Sequence, residues 1–204
     1  MATTKNLRGF LPARKLGSGA NSTGMNELPI ASGTAANIFT GDTVQVTLGN
    51  VEPVTIGGTS ALDTPVVVGV FQGCHYIQNG EPKWSKYWPS GTSATDATAM
   101  VITDPDQTYY IQADASCSAA VINVASYGLT VGTGDTATGQ SGFGIAVATS
   151  ANNAMSASPI AAQKIPGNDL TVSTERAFPI FEVRLAHHLY NKPYSTVLTI
   201  DIAN

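Results

Sequence analysis

Gly73-Cys74-His75-Tyr76-Ile77-Gln78-Asn79-Gly80-Glu81-Pro82-Lys83-Trp84-Ser85-Lys86-Tyr87-Trp88 decides the class of fold. A two-residue hairpin turn needs positive φ at both central positions, and Asn-Gly meets that demand with the least strain. Asn79-Gly80 stands between two runs rich in aromatic residues. The stretch therefore predicts an antiparallel hairpin that pairs Gly73–Gln78 with Glu81–Trp88. In an unbroken strand, Trp84, Lys86 and Trp88 would share one face.

The same period recurs on either side. Thr43-Val44-Gln45-Val46-Thr47-Leu48 alternates, and the pattern puts Val44, Val46 and Leu48 on the inner face. Phe181, Val183 and Leu185 alternate with Glu182 and Arg184, which are expected to face outward. Thr196 to Ile202 repeats the pattern, with Leu198, Ile200 and Ile202 inward. Such alternation marks half-buried antiparallel strands. Further strand runs are Val51–Ile56, Pro65–Ile77, Ala99–Thr103, Tyr109–Asp114, Leu129–Val131 and Gly142–Thr149. Helix signals are confined to Asp114–Val121, with Asp114 or Ser116 as cap, and to Ala151–Ser158. About ten short strands separated by turns predict an all-β antiparallel sandwich or barrel, jelly-roll-like.

Charge is unevenly spread over the 204 residues. Lys5, Arg8, Arg14 and Lys15 precede the first acidic residue, Glu27; the rest holds six basic and fourteen acidic residues, a net −8. The segment 1–27 is rich in Gly, Ser, Thr and Asn and has no apolar period, so it reads as an extended basic arm, with 28–204 as a single β-rich body. The arm is expected to be ordered by an acidic partner, and removal of residues 1–26 to leave a folded body. Charged residues are only 12% of the chain, and Asp135 is the one charge between Ala115 and Gln163. Either a wet Thr/Ser surface or burial against neighbouring subunits accounts for that gap, because interface cores are depleted in charge. A net charge of −4 argues against a nucleic-acid-binding body. No apolar run is long enough for a membrane helix, and no secretory signal is visible. Neither a membrane nor a nucleic-acid partner is expected.

Few residues nominate chemistry. Cys74 and Cys117 imply no disulfide framework. Cys74-His75 and His187-His188 are adjacent in strand-like runs and would point to opposite faces, so no metal or other cofactor is expected. Gly17-Ser18-Gly19 and Gly132-Thr133-Gly134 lack the third glycine of a dinucleotide loop, since Ser22 and Ala137 occupy its place. Gly139-Gln140-Ser141-Gly142-Phe143 misses the nucleophile elbow by its final Phe143. Asp104-Pro105-Asp106 reads as a solvated turn rather than a catalytic pair, and Asn21-Ser22-Thr23 is a bare sequon. No enzymatic activity is expected. Trp84, Tyr87 and Trp88 hold both tryptophans of the chain in one segment. They suit core packing, an interface anchor, or a carbohydrate platform.

Several of these segments, taken in order, carry a resemblance. They are Ile38-Phe39-Thr40-Gly41-Asp42, Gly69-Val70-Phe71-Gln72-Gly73-Cys74 with Tyr76 and Asn79-Gly80, and Ser85-Lys86-Tyr87-Trp88-Pro89-Ser90-Gly91-Thr92. Asp104-Pro105-Asp106, Tyr110-Ile111-Gln112-Ala113-Asp114, Thr138-Gly139-Gln140-Ser141-Gly142 and Phe181-Glu182-Val183-Arg184 follow. Their order over roughly residues 28–202 resembles the head decoration, or capsid cement, proteins of tailed bacteriophages. The resemblance implies a non-enzymatic virion protein on the capsid exterior, made in the host cytoplasm. It implies the major capsid protein as partner, and self-association, often as a homotrimer at local three-fold axes. On this reading Lys5, Arg8, Arg14 and Lys15 would meet acidic capsid residues, and Trp84, Tyr87 and Trp88 would anchor either the core or an interface. The alternative from the residues themselves is a carbohydrate- or cell-surface-binding β module displayed on a virion, through the face of Trp84 and Trp88.

Overall fold

The computed structural model describes residues 4–17, 24–54, 67–116, 127–150, 157–161, 177–185 and 188–191. Its strands begin with β1 (Leu11–Lys15), β2 (Met25–Pro29), β3 (Ile38–Phe39), β4 (Thr43–Thr47), β5 (Asn50–Pro53), β6 (Gly69–Gln78) and β7 (Glu81–Ser85). They continue with β8 (Tyr87–Trp88), β9 (Thr95–Ile102), β10 (Gln107–Gln112), β11 (Tyr127–Thr130), β12 (Gly144–Ser150), β13 (Ala157–Ala161) and β14 (Ile180–Leu185). A single turn of 3-10 helix spans Leu189–Asn191. The fold is all-β and antiparallel, with more strands than the ten or so expected.

Asn79 and Gly80 take φ of 56° and 79°, and the hairpin closes with Gln78 opposite Glu81. The pairing runs back to Cys74 opposite Ser85 and ends there. Lys86 breaks the strand, and β8 leaves to form a two-stranded ribbon with β3. Trp84 and Trp88 therefore do not share a face: Trp84 is 72% exposed and Trp88 is fully buried.

Two open sheets make the sandwich. The first runs β1-β10-β14-β13-β11-β12, and the second β2-β9-β6-β4-β5, with β7 also on β6. Neither closes into a barrel. One core lies between them, built from Phe10, Tyr109, Ile111, Phe181, Val183 and Leu185 on one side and Val70 and Ile102 on the other. A second core fills the opposite face of the second sheet, where Val44, Phe71, Cys74, Ala99 and Val101 pack under Ile38 and Trp88 of the ribbon. Burying two faces explains why the start of β6 carries the adjacent apolar residues Val70 and Phe71 rather than alternating.

The first sheet covers the second only at one end. Ile102, Met100 and Thr98 share one face of β9, and lie opposite Val70, Gly73 and His75 of β6. Ile102 and Val70 enter the core, whereas Met100, Thr98 and His75 stay half-buried and Trp84 stands exposed.

The described segments change several expectations. Val44 is buried as expected, but Val46 is 41% exposed and Leu48 is 97% exposed, because the β4–β5 hairpin runs beyond the layer that covers Val44. Glu182 points away from the core as expected, yet is buried among polar partners. Asp114 and Ala115 form a bend, and Ala157–Ala161 is a strand rather than the end of a helix. The remainder of both helix candidates, the Thr196–Ile202 run and the ends of Val51–Ile56 and Pro65–Ile77 lie outside the described residues.

Candidate functional site

The basic N-terminal segment is part of the sandwich. Phe10 has no exposed surface and meets the Tyr109 ring edge-on, 5.6 Å between centroids. β1 pairs with β10, Leu11 opposite Tyr110 and Lys15 opposite Gln107. Residues 8–10 thread a tight backbone crossing. The Gly9 amide donates to the Phe143 carbonyl at 3.0 Å, and the Phe10 amide to the Gly41 carbonyl at 3.0 Å. Gly9 has φ +71°, and a Cβ there would meet the Gly41 oxygen at 2.5 Å, so glycine is required. The boundary between an arm at 1–27 and a body at 28–204 is thus no packing boundary, since β2 also runs through it as Met25–Pro29. Deleting residues 1–26 would remove an edge strand and a core phenylalanine.

Two of the four cations expected to face a partner are held within the chain. Arg14 Nε donates to Glu182 Oε1 at 2.7 Å, and Thr108 Oγ1 donates to the same oxygen at 2.8 Å. Lys15 Nζ lies 2.7 Å from Asp104 Oδ2. Burial alone would raise the Asp104 carboxyl, but the hydrogen bonds from Lys15 and the Asp106 amide outweigh it and hold the group below the usual range. Lys5 and Arg8 have no acidic partner among the described residues; Lys5 Nζ sits 6.0 Å from the Phe178 ring centroid.

Arg8 flanks an open pocket of about 380 Å³, lined also by Leu11, Tyr110, Ile111 and Ile180. Gln112 fixes its wall: its Oε1 accepts from the Asn6 amide at 2.7 Å, and its Nε2 donates to Thr4 and Phe178 carbonyls at 3.0 Å each. With its amide oriented to satisfy its neighbours, Asn6 accepts from Arg8 Nη2 at 2.9 Å. Among the described residues, no acidic side chain lines the pocket. Such an arrangement suits an apolar group with a carboxylate beside it.

The three aromatic candidates separate. Trp88 packs against Tyr76 in the second core, centroids 5.2 Å apart. Tyr87 is half-buried and stacks on Phe39 at 5.4 Å. Trp84 alone is a surface group, tilted over His75 at 4.8 Å on the uncovered end of the second sheet.

The other candidates resolve as structure. Cys74 is buried, and desolvation pushes its thiol up to about 12, so it is an inert packing group. His188 is buried and its Nδ1 accepts from the Tyr190 amide; burial lowers its pKa. Asp104 accepts from the Asp106 amide at 2.9 Å, which makes Asp104-Pro105-Asp106 the expected turn. Gly132 and Gly134 pack against Gly142 and the Phe39 ring, which leaves no room for a phosphate. Ser141 is buried at the crossing, where its Oγ accepts from the Phe143 amide. Cys117, His187 and Asn21-Ser22-Thr23 lie outside the described residues, as do Ser18 and Gly19.

One buried acid had no sequence signal. Asp42 is 4% exposed, and its Oδ2 accepts from the Phe39 amide at 2.8 Å. Desolvation raises its pKa to about 6, against smaller opposing pulls from Ser141 and the Phe39 amide.

Comparison with protein-family models, curated proteins and solved structures finds no match. The resemblance to capsid cement proteins rests on the quoted residues alone.

Proposed function

We propose that this is a structural virion protein that binds the outer surface of an icosahedral phage capsid and cements neighbouring shell subunits, as a homotrimer. The observation that carries the reading is exposure on several sides of a charge-poor body. Leu48 projects from the β4–β5 hairpin, Trp84 from the β6–β7 hairpin, and Leu11 and Tyr110 line the pocket by β1. A protein with one partner needs one such patch, whereas a lattice component needs several. The ordered motifs that resemble cement proteins support the same reading. Of the four cations expected to meet acidic neighbours, Lys5 and Arg8 keep that role; Arg14 and Lys15 are engaged within the chain.

Co-sedimentation of the intact protein with undecorated shells tests the proposal. Saturable binding to expanded shells, weaker on unexpanded ones, is expected. Absence of binding to either form would sink it.

The Trp84–His75 surface favours a second reading, a carbohydrate- or cell-surface-binding module displayed on the virion. An exposed indole over an imidazole, beside Thr98 and Met100, is a stacking platform for a sugar ring. A glycan array with no ligands, or unchanged cell binding by Trp84→Ala, would count against it.

A further inference from the structure

The chain makes the same tight turn twice, with different residues. Asn79-Gly80 joins β6 to β7 at φ 56° and 79°; Leu48-Gly49 joins β4 to β5 at φ 49° and 83°. Asparagine tolerates the left-handed region, but a bulky leucine there is a genuine outlier. Leu48 is also 97% exposed, so among the described residues no packing of its side chain compensates the strain. Asn50 Nδ2 donates to the Leu48 carbonyl at 3.3 Å and braces the tip, while Val46 behind it is 41% exposed. A strained, solvent-facing apolar knob on a braced hairpin has the form of a contact made with another molecule.

The other half of that contact is present on the same chain. The pocket floored by Leu11, Tyr110 and Ile180 is apolar and open, and at about 380 Å³ it admits a branched side chain with its flanking backbone. Its cation, Arg8, lacks an acidic partner among the described residues. Glu52 follows the knob on β5, opposite Gln45, and likewise has no ion-pair partner there. Knob and pocket thus match in polarity and in flanking charge.

We propose that copies of this chain associate head to tail, Leu48 of one copy entering the Leu11–Tyr110–Ile180 pocket of the next while Glu52 pairs with Arg8. Knob and pocket are different surfaces, so each copy offers both a donor and an acceptor to its neighbours; a head-to-tail contact repeated in this way gives a ring where the rotation closes and a filament where it does not. The inference rests on the proposed function only for a ring of three. The contact itself is judged without a shell.

Sedimentation velocity over a concentration series, on the intact protein, tests it. Wild type should associate with rising concentration. Leu48→Asn copies the turn at Asn79, so its melting temperature should equal or exceed that of wild type. Its self-association should nonetheless weaken roughly ten- to a hundredfold, the loss expected from one unburied leucine. Arg8→Glu should weaken association in the same way while leaving the circular dichroism spectrum unchanged, and adding Glu52→Arg should restore it. A wild type that stays monomeric throughout, a Leu48→Asn variant that assembles unchanged, or a charge swap without rescue would each overturn the proposal. Loss of shell binding by Leu48→Asn with self-association intact would also overturn it, by assigning the knob to the shell. Normal self-association without shell binding would leave the contact standing and remove the proposed function instead.

Discussion

Phe10→Ala separates an N-terminal segment that belongs to the fold from one that is merely attached. Phe10 is fully buried, meets Tyr109 edge-on at 84°, and sits in the core between the sheets. Replacing a buried phenylalanine with alanine removes its transfer free energy and leaves a cavity, about 3–5 kcal/mol together. The backbone crossing at Gly9 and Gly41 holds the chain in place, so the cavity cannot close by moving the segment inward. For a domain of this size each kcal/mol lowers the melting temperature by about 2–4 °C, which gives a loss of roughly 6–20 °C. Urea unfolding followed by intrinsic fluorescence reads the change directly, with an unchanged slope if the unfolded state is unaltered. Lys5→Ala is the matched control, being exposed and without an ion pair among the described residues, and should shift stability by less than ~0.5 kcal/mol. A Phe10→Ala variant within ~1 kcal/mol of wild type would refute the packing and restore a detached arm.

Asp42 predicts a pH dependence of definite sign. Its folded pKa, about 6, lies above the ordinary 3.8, so the folded state holds that proton more tightly than the unfolded chain. Its contribution to stability is greatest below about pH 4, falls as pH rises towards 6, and is level above; the shift corresponds to about 3 kcal/mol. Urea titrations of Asp42→Asn should therefore gain on wild type by about that amount between pH 4 and pH 7, and a constant difference would contradict the assignment. Asp104 acts oppositely: its pKa is depressed, so its stabilisation is present above the ordinary carboxylate range and lost as pH falls through the folded value. The two tryptophans should also part company. Trp88→Ala should cost about 3–5 kcal/mol of stability, whereas Trp84→Ala should cost less than ~1 kcal/mol; similar costs would mean that the break at Lys86 is wrong.

Local rules carried much of the fold. Asn79-Gly80 announces its hairpin because the turn chemistry is contained in two residues. The alternation of Phe181, Val183 and Leu185 reports a face that is buried along its whole length. The same logic fails at Val46 and Leu48, where the period continues but the covering layer does not. It fails again at Trp84 and Trp88, because a strand break at Lys86 exchanges faces without any glycine or proline at the break. The N-terminal segment was illegible for another reason. Its place depends on partners far along the chain, Arg14 with Glu182 and Phe10 with Tyr109, and on a glycine crossing that has no periodic signature. The pocket was hidden likewise, since its walls come from three separate stretches around Arg8, Tyr110 and Ile180. Leu48 could have been noticed by setting Leu48-Gly49 beside Asn79-Gly80 as two candidate turns.

The claim that this protein cements a shell is tested most directly by imaging. Reconstructions of expanded shells with and without the added protein yield a difference map. The account predicts density on the outer surface that bridges at least two shell subunits, grouped in threes, with the two β-sheets of the sandwich recognisable in each copy. An unchanged map, or density standing on a single subunit without bridging a neighbour, would contradict it.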